Sequence, residues 1–249
     1  MRLVRRVRDE MLDALAPDDP RAQRSRRDLR RVHRTMGTCG LLAGSLEMSG
    51  PPSLRLDADR LEVLELGAGD GTLMLRVARR IAARWPPVRL TLLDRVDIVS
   101  PETRAGFQAL DWQTRVVSAD VLDWAAGRVD APVTDSSPDA DLIITTLFLH
   151  HFEGAALDAL LAGVVARGQR FVALEPRRDR LALAGSHLVA LLGANAVTRQ
   201  DAVLSVHAGF RDAELSAAWP DPHGAWHLHE ARAGAFAHRF EAQRLPAAA

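Results

Sequence analysis

Two kinds of apolar patterning divide the chain at about residue 60. Before that point apolar residues recur at helical spacing: Leu3, Val7, Met11 and Leu15 share one face, and Ala22, Ser25, Leu29, Val32 and Met36 share another. Pro17 and Pro20 separate the two expected helices, Gly37 is a stop for the second, and residues 50–53, Gly-Pro-Pro-Ser, form a junction into the longer C-terminal part of the chain. In that part, short apolar runs alternate with helical spacing. Strands are expected at 62–66, 89–94, 114–118, 141–145 and 170–175, and helices at 72–84, 155–166, 180–192 and 198–208. Residues 213–219 and 228–244 are expected as a closing strand pair. Such alternation predicts an α/β domain whose parallel sheet is covered by helices on both faces.

Residues 61–75, LEVLELGAGDGTLML, organise the rest: a buried strand, a glycine-rich turn and the opening of a helix. Val63, Leu64 and Leu66 form the apolar run of a strand covered on both faces. Gly67, Gly69 and Gly71, with Ala68 between the first two, allow positive φ and close approach of a ligand, and the helix behind them aims free N–H groups at it. The dinucleotide fingerprint G-x-G-x-x-G needs glycine where this chain has Thr72. Glu65 lies two residues before Gly67; its carboxylate suits a ligand carrying an amine and a sulfonium, and repels a pyrophosphate. Asp94 ends the second expected strand, where an acidic side chain can accept both hydroxyls of a ribose; Arg95 is next to it.

A length of 249 residues suits one large domain with an added segment. Basic and acidic residues balance at 32 each, so bulk charge gives no case for attraction to nucleic acid or a membrane surface. Every basic residue in that count is arginine and tyrosine is absent, which leaves no Lys or Tyr as a catalytic acid or base. Cys39 is the sole cysteine, which excludes an intrachain disulfide and fits a reducing compartment. The N-terminus lacks the apolar core of a signal peptide, and the apolar stretch 181–197 is interrupted by Ser186, His187 and Asn195. A cytoplasmic protein without stable membrane insertion is expected. His223, His227, His229 and His238 fall in a loop and a strand with no carboxylate or cysteine pattern to complete a ligand set, so no metal is expected. Ser186 lacks the glycines of a nucleophile elbow.

The run Glu65-Leu-Gly67-Ala68-Gly69-Asp-Gly71 resembles motif I of the class I S-adenosylmethionine (SAM) dependent methyltransferases, and later motifs arrive in that family's order over residues 55–220. The resemblance implies a Rossmann-like, doubly wound, seven-stranded and mostly parallel sheet of order 3-2-1-4-5-7-6. It also implies an N-terminal helical cap at 1–54 on a catalytic domain at 55–249. SAM would be the cofactor and S-adenosylhomocysteine (SAH) the product. Glu65 would hold the amine, the backbone of Gly67, Ala68, Gly69 and Gly71 would face the cofactor, and Asp94, with Arg95 beside it, would hold the ribose. Asp120 would accept from the adenine amine with Val121 against the ring, although a helix-capping turn is the other reading of this stretch. Thr145 would lie near the sulfonium, at the start of a segment that ends in His150 and His151. Either histidine can act as a general base, His151 ahead of His150, with one packing structurally. Glu175 could orient that base or a substrate hydroxyl, and Arg177 and Arg178 could hold an acidic substrate group or pair with it.

A looser resemblance, to bacterial methyltransferases of polyketide-type biosynthesis, rests on residues 27–33 and on 193–199 to 219–220. It implies a small aromatic or polyketide-like acceptor methylated on a hydroxyl, with a homodimer permitted. Carbon methylation of a quinone or phenol ring is an alternative, as is an NAD(P)-dependent oxidoreductase, which shares the sheet. The segment after the fourth strand, Thr-Thr-Leu-Phe, does not match the motif of amide or adenine N-methylation.

Overall fold

The computed structural model describes residues 3–52, 59–129, 131 and 140–246. The expected cap boundary at 54 and 55, and Ser53 of the junction, lie outside the described residues. The chain opens on a non-helical segment containing one 3-10 turn, Leu12–Ala14. The first half then runs α1 (Pro20–Thr35), α2 (Thr38–Met48), β1 (Leu61–Leu66), α3 (Thr72–Ile81), β2 (Val88–Asp94), α4 (Pro101–Gln108), β3 (Trp112–Ser118) and α5 (Val121–Ala125). The second half runs β4 (Leu142–Thr146), α6 (Gly154–Arg167), β5 (Arg170–Pro176), α7 (Arg180–Leu188), α8 (Ala196–Ala208), α9 (Glu214–Ala218), β6 (Trp226–Ala233) and β7 (Ala237–Arg244).

The strands form one seven-stranded sheet in the expected order β3-β2-β1-β4-β5-β7-β6. Strands β1 to β5 are parallel, and β7 runs antiparallel to both β5 and β6. Every residue of β1 is buried, because alternate side chains enter two separate cores. Leu61 and Val63 pack with α2 and α3 through Leu42, Leu46, Met74 and Val77. Leu64 and Leu66 face the opposite way, with Trp124, Leu160 and Val164 of α5 and α6. From β1 the chain winds first toward β3 and then, at β4, toward the other edge. The crevice at this reversal, above the carboxyl ends of β1 and β4, is where an open α/β sheet binds ligands.

Two expectations are corrected, and one helix was not anticipated. Residues 3–15 form no amphipathic helix, because distant partners take the donors of this segment: Arg6 N donates to His207 O at 3.1 Å, and Met11 N and Leu12 N to Asp201 at 2.8 and 3.0 Å. Helix α2 carries little amphipathic contrast: Cys39, Leu42, Ala43 and Leu46 are buried on one face, but Gly40, Leu41 and Gly44 elsewhere on the helix are uncharged. Residues 213–219 make α9 in place of a strand. The Glu230 carboxylate accepts Leu215 N at 3.1 Å and Ser216 N at 2.8 Å at its N-terminus, and Trp219 stacks on Phe171 at 5.6 Å. The closing hairpin is therefore β6 with β7.

Helix α1 packs not on the sheet but on α8 and the 3-10 turn Val189–Leu192, through Val32, Val189 and Ala194 with Met36, Leu192 and Ala202 around them. The cover over the crevice is thus built from the N-terminal segment together with the α7–α8 region. Among the described residues, no helix is long and apolar enough to cross a membrane.

Candidate active site

A cavity of about 810 Å³ lies between the cover and the carboxyl ends of β1, β2 and β4. Its floor is the glycine turn. Gly67, Gly69 and Gly71 have φ of +70°, +56° and +68°, a region that costs an L side chain energy. Gly67 is also sterically required, since a Cβ there would lie 2.2 Å from the Phe148 ring. Gly67, Ala68 and Gly69 line the cavity, whereas Gly71 packs beneath, its virtual Cβ 3.3 Å from Leu92 and Thr103.

The expectation of free amides aimed at a ligand is corrected for the glycines of the turn and for Thr72, the first residue of α3. Gly67 N and Ala68 N both donate to Leu93 O, Gly69 N to Asp94 Oδ2, Gly71 N to Ala68 O and Thr72 N to Asp70 Oδ1. What the turn offers is a surface without side chains, framed by carboxylates. Asp94, at the end of β2, faces the cavity with lone pairs to spare. Arg95 lies beside it, 3.9 Å from Asp13 of the N-terminal segment.

Glu65 is the least settled of these groups. Its carboxyl is 3 % exposed, lines the cavity, and its Oε2 has no hydrogen-bond partner. Burial, reinforced by the charges of Asp94 and Asp70, raises its pKa to about 8. A cationic ligand group placed against Oε2 would relieve both the missing bond and the repulsion. A ligand with an ammonium at one end and a diol at the other fits Glu65 and Asp94 together.

Across the cavity the chain leaves β4 through Leu147, whose φ of +54° is unusual for a branched residue, into the 3-10 turn Leu149–His151. The fully buried Glu175 carboxylate, from the end of β5, holds this turn in place. It accepts Phe148 N at 3.0 Å, Leu149 N at 2.9 Å, His150 N at 3.2 Å and His150 Nδ1 at 2.9 Å. Glu175 itself does not line the cavity, so its action is on the turn.

His150 is 3 % exposed, with Nδ1 on Glu175 and Nε2 3.4 Å from Glu10 Oε1. Burial lowers its pKa, but the contacts with Glu10 and Glu175 outweigh burial and raise it to about 9. The neighbouring ring of His151, 4.3 Å away, is held below its ordinary value by burial and then by the charge of His150. His151 lines the cavity with Nδ1 3.4 Å from Asp13 Oδ2. Burial also lowers His33 of α1, a further lining residue, to about 4, so it is neutral.

Some expected site residues are elsewhere. Asp120 is exposed and its carboxylate accepts Leu122 N at 2.7 Å as the N-cap of α5, while Val121 is buried in the core below. Neither lines the cavity. Thr145 is fully buried in β4, and its neighbour Thr146 takes the place at the cavity wall. The arginines after β5 turn away: Arg178 pairs with Glu214, and Arg177 with Asp179 at 2.9 Å. His238 is buried against Glu230 at 2.7 Å, and His223, His227 and His229 are exposed. Among the described residues, the His, Cys, Asp and Glu side chains that converge closely enough for an ion are Glu10, His150 and His151, with ligand atoms within 4.8 Å of one another. Glu10, Asp13 and His33 were not anticipated at the site; no motif marks them.

No family model and no curated protein matches the sequence. Solved structures do. The plantazolicin methyltransferase BpumL in complex with SAH superposes with a TM-score of 0.60 at 12 % identity, over 92 % of this chain and 92 % of that one. The plantazolicin methyltransferase BamL, in complex with a triazolic desmethylPZN analog and SAH, gives 0.54 at 12 % identity over 91 % and 92 %. Magnesium protoporphyrin IX methyltransferase (ChlM) from Synechocystis PCC 6803 with bound SAM gives 0.50 at 11 % identity over 94 % and 88 %. With the strand order 3-2-1-4-5-7-6 and its antiparallel β7, the chain has the Rossmann-like fold of the class I SAM-dependent methyltransferases.

Proposed function

We propose that the chain is a SAM-dependent methyltransferase that methylates a small-molecule acceptor, on a hydroxyl of an aromatic or polyketide-like compound. The observation that carries this reading is Glu65: a buried carboxyl with an unpartnered oxygen, facing a cavity floored by a turn of left-handed glycines and shared with Asp94. That pairing suits a nucleoside bearing a cationic amino-acid arm. It does not suit a pyridine dinucleotide, whose pyrophosphate would meet carboxylates and a turn whose Gly67, Ala68, Gly69 and Gly71 amides are already bonded. Similar folds have been solved with SAH or SAM bound.

Bound there, SAM supplies an activated methyl group. The protein contributes binding and alignment in a largely apolar cavity. Glu65 would hold the ammonium, Asp94 the ribose hydroxyls, and Gly67 and Gly69 would let the ligand lie against the backbone. The acceptor would occupy the rest of the cavity, where Leu12, Leu29, Met36, Val189 and Leu192 give an apolar wall. His151 lines the same space, so the acceptor's hydroxyl would meet the histidine pair. Asp120 has no place in this scheme, because its carboxylate is used as a cap outside the cavity.

Calorimetric titration with SAH and, separately, NAD tests the reading. Saturable SAH binding with no heat from NAD is expected; tight NAD retention without SAH binding would overturn it.

A further inference from the structure

We propose that Glu10, His150 and His151 form a site for one divalent first-row transition-metal ion at the end of the cavity beside β4. Ligand atoms of the three residues lie within 4.8 Å of one another, and all three residues line the cavity. His150 Nε2 stands 3.4 Å from Glu10 Oε1, longer than the roughly 2.7–3.2 Å of an N–H···O hydrogen bond. It is close to the edge, about 3.3–3.4 Å, of a tetrahedron whose ligands lie about 2.0–2.1 Å from a zinc ion.

The groups behind the ligands are also those of a metal site. A metal-binding imidazole characteristically gives its other ring nitrogen to a carboxylate, which fixes its tautomer and aim. Glu175 Oε2 takes His150 Nδ1 at 2.9 Å, leaving Nε2 directed at the shared point. The Ser205 hydroxyl bonds to Glu10, and Asp13 Oδ2, 3.4 Å from His151 Nδ1, is a neighbouring charge and not a hydrogen-bond partner. Both backbone segments are pinned by other contacts. Glu175 holds the amides of the histidine turn, and Asp201 holds those of Met11 and Leu12, next to Glu10. Two imidazoles and one carboxylate, without thiolate, suit zinc, cobalt or ferrous iron better than magnesium or calcium, which favour all-oxygen shells.

Three protein ligands leave a further position, open to the cavity, as in catalytic rather than structural sites. Resting on the methyltransferase reading, that position takes the acceptor hydroxyl. The oxygen gives its proton to solvent, its lone pair forms the O–CH3 bond, and the S–CH3 pair returns to sulfur to leave neutral SAH. The histidines then serve as ligands and not as bases.

The test is calorimetric titration of chelator-stripped full-length protein with Zn²⁺, with Co²⁺ absorption as the geometric readout. One equivalent per chain is expected in the wild type, weakened about tenfold or more in Glu10→Gln and in His151→Gln. The double variant His227→Gln/His229→Gln, which removes exposed histidines on β6, is expected to bind as the wild type does. Absence of a stoichiometric ion, wild-type affinity in both site variants, or loss of binding in the β6 variant would each overturn the site. SAH titrated into the same stripped samples separates the two readings. SAH binding without metal binding sinks only the site, and metal binding without SAH binding sinks only the methyltransferase reading.

Discussion

Gly69 donates its backbone N–H to Asp94 Oδ2 at 2.8 Å, tying the turn after β1 to the end of β2. The other oxygen takes only a long contact, 3.4 Å, from Val96 N. Asp94 therefore both shapes the turn and keeps acceptor capacity toward the cavity. Asp94→Ala should lower SAH affinity on the order of 100-fold, since each hydrogen bond to a charged group is worth about 1.5–3 kcal/mol. Its melting temperature should fall only slightly, because one loop contact is lost and no core volume. Titration and a thermal melt on the same sample check this; affinity within a factor of about two of wild type would remove Asp94 from the binding role.

On the proposed reading, Glu65 makes SAH binding pH-dependent. Its pKa is raised to about 8 in the folded chain from an ordinary 4.5, so at neutral pH the free protein holds a proton that an ammonium ligand must expel. Affinity should rise from pH 6 to 8 and level off above. Stability moves the other way: below 4.5 both folded and unfolded chains are protonated, and between 4.5 and 8 only the unfolded chain ionises, so folding weakens as pH rises across that window. The loss amounts to roughly 5 kcal/mol for a shift of this size. Glu65→Gln should flatten the stability profile and raise the melting temperature near pH 8 while abolishing the pH dependence of binding. A variant profile that still falls between pH 5 and 8 as the wild type does would place the proton on another group.

How legible these features were in the sequence depended on range. The β1–turn–α3 unit is local, and its glycines and apolar run state their geometry in a dozen residues. Asp120 illustrates an ambiguity of local pattern, since an acidic residue before an apolar stretch reads equally as a ligand contact and as the N-cap it proves to be. Residues 3–15 failed for the opposite reason. Their helical spacing is real, but Asp201, 190 residues from Met11, takes the backbone donor that a helix would have used. The same long-range docking brings Glu10 and Asp13 to the histidine pair, so neither could be found without the fold.

Gly67 and Gly69 differ in a way that separates steric need from backbone strain. Both have positive φ, but only at Gly67 does a Cβ collide with anything, meeting the Phe148 ring at 2.2 Å, while at Gly69 nothing lies within 4 Å. Gly69→Ala should cost about 1 kcal/mol of stability through φ alone. Gly67→Ala must also push Phe148, and with it the turn held by Glu175, and should destabilise by a further 1–3 kcal/mol or so. Denaturant unfolding of both variants is the check; equal losses would mean that Phe148 moves freely and that the packing of turn against ring is loose.

Asp201 predicts how the N-terminal segment is held. It is buried in α8, and its two oxygens accept Met11 N at 2.8 Å and Leu12 N at 3.0 Å. An amide that loses its acceptor while buried costs about 1–3 kcal/mol, but these two can instead turn to water if the segment lifts. Asp201→Ala should therefore release residues 3–19 without unfolding the sheet. Hydrogen exchange should accelerate there and stay slow in β1 and β4. SAH binding should change little, because Glu65, Asp94 and the glycine turn lie on the sheet side of the cavity. The proposed methyl transfer should fall much further, because Leu12 of the wall proposed for the acceptor, the cavity-lining Leu15, and Glu10 beside His150 leave together. Unaltered exchange in residues 3–19 would mean that the other anchors are sufficient to hold the segment: Arg5 on Ala208 O and Phe152 O at 2.8 Å, Arg6 N on His207 O, Arg178 on Leu3 O, and Ser205 on Glu10.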